Sequence, residues 1–212
     1  AIRRPDGYVG KPAEAGTDAF AQDYGANSGD FRFTSNFPVD FAWAKLYAGS
    51  GNWWTSARLI QGREVKTNNS DAEQAGTNKQ FDSNVSWHAP NADNTYISHM
   101  WKRNAGFDVV TYTGDDAASK DIAHSLGKTP EMIWIKCCND TAQWVVGHKG
   151  RNGGVNPWNY FSALNGNGAD EDNTMFNDTP PTSTHFTVGT DNDVNDTDTY
   201  ISMLFASVDG IS

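Results

Sequence analysis

The feature that most limits how this chain can fold is an internal repeat. Laying Trp43 on Trp134, a shift of 91, aligns Phe41-Ala-Trp43-Ala-Lys45 with Ile133-Trp134-Ile-Lys136. The same shift puts Trp53 on Trp144 and Arg58 on Lys149, and Pro38 precedes its Trp as Pro130 does, with one residue of slippage. Farther on, Asn94-Thr-Tyr-Ile-Ser98 recurs as Asp198-Thr-Tyr-Ile-Ser202, a shift of 104. The extra 13 residues fall in a Gly-, Asn- and Asp-rich stretch, where loops accept insertions. Matches kept in order along the chain imply two copies of one folding unit. Unit 1 spans 18–105, with its landmarks between Asp18 and Arg103, and unit 2 spans 106–212. Asn104-Ala105-Gly106 is the natural junction. Residues 1–17, with Pro5, Gly7, Gly10, Pro12 and Gly16, read as a lead-in arm or the end of a preceding element. Ala1-Ile-Arg-Arg-Pro5 has the character of mid-chain sequence, so a longer parent chain is expected.

Each unit reads as short strands. Phe107–Thr113 is β-branched and aromatic and stops at Gly114-Asp115, a turn signal. Met132–Cys137 alternates: Ile133, Ile135 and Cys137 share one face, Trp134 and Lys136 the other. Unit 1 repeats this with Ala42, Ala44 and Leu46 opposite Trp43 and Lys45. Further strands are expected at Ser119–His124, Gln143–Lys149, Trp158–Leu164, His185–Val188 and Thr199–Ala206. Their counterparts are Asp30–Thr34, Trp53–Leu59, Arg63–Thr67, Asn84–Trp87 and Thr95–Lys102. The one helix-like window, Asp116–Leu126, has little apolar periodicity. The expected fold is therefore all-β: two tandem antiparallel β-sandwich repeats, jelly-roll-like.

Composition narrows the partners. A formal charge of −10 opposes binding to phosphate backbones and to anionic membrane surfaces. No stretch approaches the roughly 20 apolar residues that span a bilayer, so membrane insertion is not expected. Cys137 and Cys138 are adjacent, point to opposite faces of a strand and read as plain core thiols. The five His residues show no paired metal-ligand spacing, and no cofactor is expected.

The chemistry-bearing candidates are aromatic. Trp43, Trp53, Trp54, Trp134, Trp144 and Trp158 could form exposed platforms for sugar rings. Their recurrence at equivalent positions favours a structural role instead, with rings packed between units and a Lys stem over the indole. Asp191–Asp198 offers alternating oxygens for Ca2+, yet it lacks the Gly and the closing Glu of an EF-hand loop. That loop and Gly168–Asn173 read as solvated turns. No nucleophile elbow, zinc-protease motif or phosphate loop is present, and no acidic pair stands out for glycoside hydrolysis, so an enzyme is not expected.

Unit 2 carries a resemblance. Gly106-Phe-Asp-Val-Val-Thr-Tyr-Thr-Gly114, Ile122-Ala-His-Ser-Leu-Gly127, Pro130-Glu-Met-Ile-Trp-Ile-Lys136 and Trp144-Val-Val-Gly-His-Lys149 resemble a repeat of tail-fibre-like virion proteins of aquatic tailed bacteriophages. Phe176–Gly189 and Tyr200–Gly210 do so too. Unit 1 fits less closely; Tyr24-Gly25 is its only trace of the Tyr-Thr-Gly turn. The resemblance implies an extracellular, virion-borne structural module with no catalytic residues to carry over. It also implies self-association as a homo-oligomer, contact with other virion proteins and attachment to host-surface glycans. A carbohydrate-binding module using exposed Trp is the alternative, and a glycoside hydrolase the more distant one.

Overall fold

The computed structural model describes residues 13–29, 31–90 and 92–209, and these are almost entirely β. Most of the expected lead-in arm, residues 1–12, lies outside the described residues, as does Asp30. Unit 1 contributes β1 (Phe20–Tyr24), β2 (Phe33–Thr34), β3 (Phe41–Leu46), β4 (Trp54–Ala57), β5 (Arg63–Lys66), β6 (Gln74–Ala75), β7 (Ser86–Trp87) and β8 (Tyr96–Trp101). Unit 2 contributes β9 (Phe107–Thr113), β10 (Lys120–Ala123), β11 (Met132–Cys137), β12 (Val145–His148), β13 (Tyr160–Ala163), β14 (Glu171–Asp172), β15 (His185–Val188) and β16 (Thr199–Phe205).

The duplication holds strand for strand. Unit 1 forms a six-stranded sheet in the order β1-β8-β3-β4-β5-β6 and a ribbon β2-β7. Unit 2 forms β9-β16-β11-β12-β13-β14 and a ribbon β10-β15, which is the same order with each strand replaced by its counterpart. All pairings are antiparallel. Smaller devices repeat as well. The Trp53 amide donates to Asn68 Oδ1 at 2.9 Å, and the Trp144 amide to Asn165 Oδ1 at 2.9 Å. Arg58 pairs with Asp40 at 3.1 Å as Lys149 pairs with Glu131 at 2.7 Å. The weak Tyr24-Gly25 trace is a true equivalence. A Cβ on Gly25 would meet the Asp93 carbonyl oxygen at 2.2 Å, and one on Gly114 the Asp196 carbonyl oxygen at 1.8 Å.

In each unit the ribbon covers one face of the large sheet, and complementary volumes fill the gap. Unit 1 puts small Ala42 and Ala44 on the sheet and large rings above them, with Phe33 and Phe81 each stacked 5.5 Å from Trp87. Unit 2 reverses the arrangement, with Ile133 and Ile135 on the sheet beneath Ile122, Phe186 and Val188. Close packing requires only that the summed volume match, so the same backbone accepts both solutions.

The opposite faces of the two large sheets pack on each other and make a third core. Phe41, Ala57, Ile60 and Val65 of unit 1 meet Phe107, Val109, Cys138, Trp144, Ile201 and Met203 of unit 2. Rings run across this seam from Phe41 to Phe107 (5.7 Å), on to Phe205 (5.1 Å) and to Trp134 (5.1 Å). The strand alternation explains it: the Trp-x-Lys face of β3 and β11 is the seam face, and the Ala or Ile face is the unit's own core. Only residues 102–106 link β8 to β9. That link is held by Asn104, whose side chain bonds the Lys102 carbonyl and the Gly106 amide.

Several expected boundaries move. Trp158 is not in a strand: Asn156, left-handed at φ 45°, and Pro157 start a 3-10 turn that turns Trp158 inward. Arg58–Ile60 is likewise 3-10 rather than the end of a strand. The short β6 and β14, and the edge strand β1, are additional. The acidic stretch from Asp191 is not a purely solvated loop, because Asn192–Asn195 forms one helical turn with Val194 and Asn195 buried.

Candidate functional site

The Trp-x-Lys faces converge at one edge of the seam, around a groove of about 340 Å³. Trp43, Trp53, Thr67 and Asn68 line it from unit 1, and Trp134 and Leu164 from unit 2. Three of the six candidate tryptophans thus share one site. β3 places Trp43 on the seam face, β11 places Trp134 there, and the Asn68 cap fixes Trp53 at the mouth of β4.

The other three lie elsewhere. Trp54 is on the opposite face of its sheet, stacked 4.9 Å from Tyr96 with the Lys79 ammonium 4.9 Å from its ring. Neighbours in a strand point opposite ways, so Trp53 and Trp54 never share a surface. Trp144 is fully buried in the seam. Trp158 is buried in unit 2, edge-on to Phe176 at 5.3 Å, and both rings sit where a Cβ on Gly147 would collide with them.

Trp43 is flanked on both sides: His99 of β8 stacks at 4.1 Å, and Trp53 lies at 4.5 Å. The Lys45 ammonium sits 4.8 Å from the Trp53 ring. The Trp-x-Lys motif therefore does not cover its own indole; the lysine reaches the tryptophan of the next strand. A saccharide has little of the Trp43 face to stack on, and Trp134 and the outer edge of Trp53 remain. His99 continues the aromatic run towards Trp101 and Phe20. Its Nδ1 is buried without a hydrogen-bond partner among the described residues, and burial lowers its pKa.

In unit 2 the equivalent lysine has a different fate. Lys136 is fully buried, donates to the Ala142 carbonyl at 3.0 Å and the Ser70 carbonyl at 3.2 Å, and burial pulls its pKa down. The two cysteines are free and buried on opposite faces, and burial raises both thiols, Cys138 to about 12. The thiolates that nucleophilic chemistry needs are disfavoured there.

The acidic loop disperses its carboxylates. Asp191 caps the Asp193 amide at 2.9 Å, Asp193 accepts from the Gln143 amide at 3.2 Å, and Asp198 accepts from Asn139 at 2.6 Å. Among the described residues, no group of three His, Cys, Asp or Glu is placed to hold a metal ion. No helix among them is long and apolar enough to cross a membrane.

Residues 20–212 match the family model of a domain of unknown function, DUF7483. The chain belongs to that family. No curated protein and no solved structure matches it. The DUF7483 match runs from the first residue of β1 through both units and the seam. The seam and its groove are thus interior to the stretch the family model covers.

Proposed function

We propose that this DUF7483 chain is a non-enzymatic structural module of a virion appendage of tail-fibre type. It spaces neighbouring parts of the appendage and contributes to attachment at the host surface. The observation that carries the reading is the seam. Tandem domains joined by a bare linker swing about it, whereas here a shared apolar core and a five-residue link, buried at Lys102, Asn104 and Gly106, hold two sandwiches as one stiff body. A body that keeps its length under load is what a spacer needs. The motifs of unit 2 supply the virion part of the reading. Antibodies raised against the chain should label the appendages of purified particles of the encoding phage. Label confined to soluble lysate, with bare particles, overturns the assignment.

A second reading has its own observation. Trp53 and Trp134 wall a groove within the size range of small-ligand pockets, and indole faces are good partners for sugar rings. On this reading Trp134→Ala removes a signal that the wild type gives on a glycan array. A hydrolase needs two carboxylates roughly 5–10 Å apart beside the bond it cuts, and none is among the residues lining the groove.

A further inference from the structure

Unit 2 displays what the Trp-x-Lys face does when something lies on it. Seven residues, Thr67–Glu73, join β5 to β6, and this segment leaves unit 1 and crosses unit 2. The Trp144 indole donates to the Lys66 carbonyl at 2.9 Å, where the segment begins. The Lys136 ammonium and the Ala142 amide both donate to the Ser70 carbonyl, at 3.2 and 3.0 Å. The Glu73 amide donates to the Cys138 carbonyl at 2.6 Å. The face therefore grips a passing main chain through an indole N–H, a lysine and an apolar floor.

Unit 1 carries the same face and leaves it open. At the shift of 91, Trp53, Lys45 and Tyr47 stand where Trp144, Lys136 and Cys138 stand. Tyr47 is 55% exposed, edge-on to Tyr24, which is 53% exposed. Among the described residues, no carbonyl or carboxylate accepts from the Lys45 ammonium or the Trp53 indole. The segment that would cover them by the repeat's own logic is Leu164–Asp170, also seven residues, between β13 and β14. Leu164 touches the groove wall, but the chain then turns back. Asp170 is ion-paired with Arg151 of unit 2, and residues 166–170 stand exposed. Each molecule thus presents one uncovered face and one uncovered turn of the kind that already fit each other inside it.

We propose that the Trp53–Lys45–Tyr47 face of unit 1 binds the Leu164–Asp170 turn of a second copy of this chain, joining copies head to tail. Local charge favours the match: the exposed carboxylates of Glu171 and Asp172 follow the turn, and the face offers the Lys45 ammonium. A contact between unlike surfaces leaves one of each free, so it propagates into a row or closes into a ring. This contact does not depend on the virion reading.

Sedimentation velocity over a concentration series tests it. The wild type should gain mass with concentration. Tyr47→Glu on the face and Ala169→Lys on the turn should each weaken association by about tenfold or more. Both side chains are exposed, and Ala169→Lys leaves the Arg151–Asp170 pair in place; unchanged thermal melts check the folding of each variant. Mixing the two variants should restore association, because the intact face of one meets the intact turn of the other. A wild type that stays monomeric at about 1 mM overturns the proposal, whether or not it binds saccharides. So do variants that associate like the wild type, or a mixture that remains monomeric.

Discussion

Units 1 and 2 set Lys45 and Lys136 at the same point of the same strand, two residues after the same tryptophan, and the two side chains end up in opposite environments. Lys136 is sealed beneath a segment of the other unit and spends its protons on two carbonyls. Lys45 is only half-buried, with its ammonium against the Trp53 ring. Trp144 and Trp53 divide in the same way, one fully buried and one half-buried. Duplication fixed the backbone and left the covering free to differ. A motif repeated in sequence therefore predicts position, and what lies over the position decides its chemistry.

The largest expected effect tests a second divergence at the far end of each sheet. Unit 1 buries Glu64 and Lys79 as an ion pair at 2.8 Å, with side-chain exposures of 8% and 4%, beneath Trp54. The position equivalent to Glu64 in unit 2 holds Phe161, packed in an apolar core with Trp158 and Phe176. Removing one partner of a buried pair strands the other charge, so Glu64→Ala or Lys79→Ala should cost roughly 3–5 kcal/mol. Replacing both, Glu64→Leu with Lys79→Met, imitates unit 2 and should fall within about 1–2 kcal/mol of wild type. Urea unfolding midpoints separate these outcomes. A double variant as unstable as the singles would mean that unit 1 cannot accept the apolar solution.

A smaller effect returns to the two lysines. Lys136→Ala leaves the Ala142 carbonyl without its donor, takes one of two donors from the Ser70 carbonyl, and should cost roughly 2–3 kcal/mol. Lys45→Ala loses one half-buried cation–π contact and should stay within about 0.5–1 kcal/mol. Equal losses in a thermal melt would show that the covering segment contributes nothing at Lys136, and the contrast between the units would fail.

Much of this was legible in the chain itself. The equivalence of β3 with β11, and of β8 with β16, follows from the shifts of 91 and 104. The inside and outside of β3 and β11 follow from alternation. The convergence of Trp43 and Trp134 on one groove did not, because periodicity assigns a face but not what that face meets. Trp158 was misplaced because Asn156-Pro157 starts a 3-10 turn in sequence that otherwise suits a strand. The segment Thr67–Glu73 left no signal at all. It is held to unit 2 through main-chain carbonyls and an amide, groups that carry no side-chain signature.

The smallest expected effect is a pH dependence that only unit 1 can have at this place in the seam. His99 stacks between Trp43 and Trp101, and its counterpart at the shift of 104 is Met203. Burial among rings disfavours the imidazolium, so the folded pKa lies below the ordinary 6.5. As pH falls through 6.5 the unfolded chain takes up this proton before the folded one does. The stability tied to His99 is therefore complete above that pH and is lost progressively below it. His124 in unit 2 is shifted in the same direction, so acid sensitivity as such does not isolate the site. His99→Met does, since it writes the unit 2 residue into unit 1 and leaves His124 alone. Urea midpoints at pH 7.5 and pH 5 should fall less in the variant than in the wild type. If the two fall equally, protonation at His99 is tolerated in the stack, and the aromatic run in unit 1 is looser than its ring spacings imply.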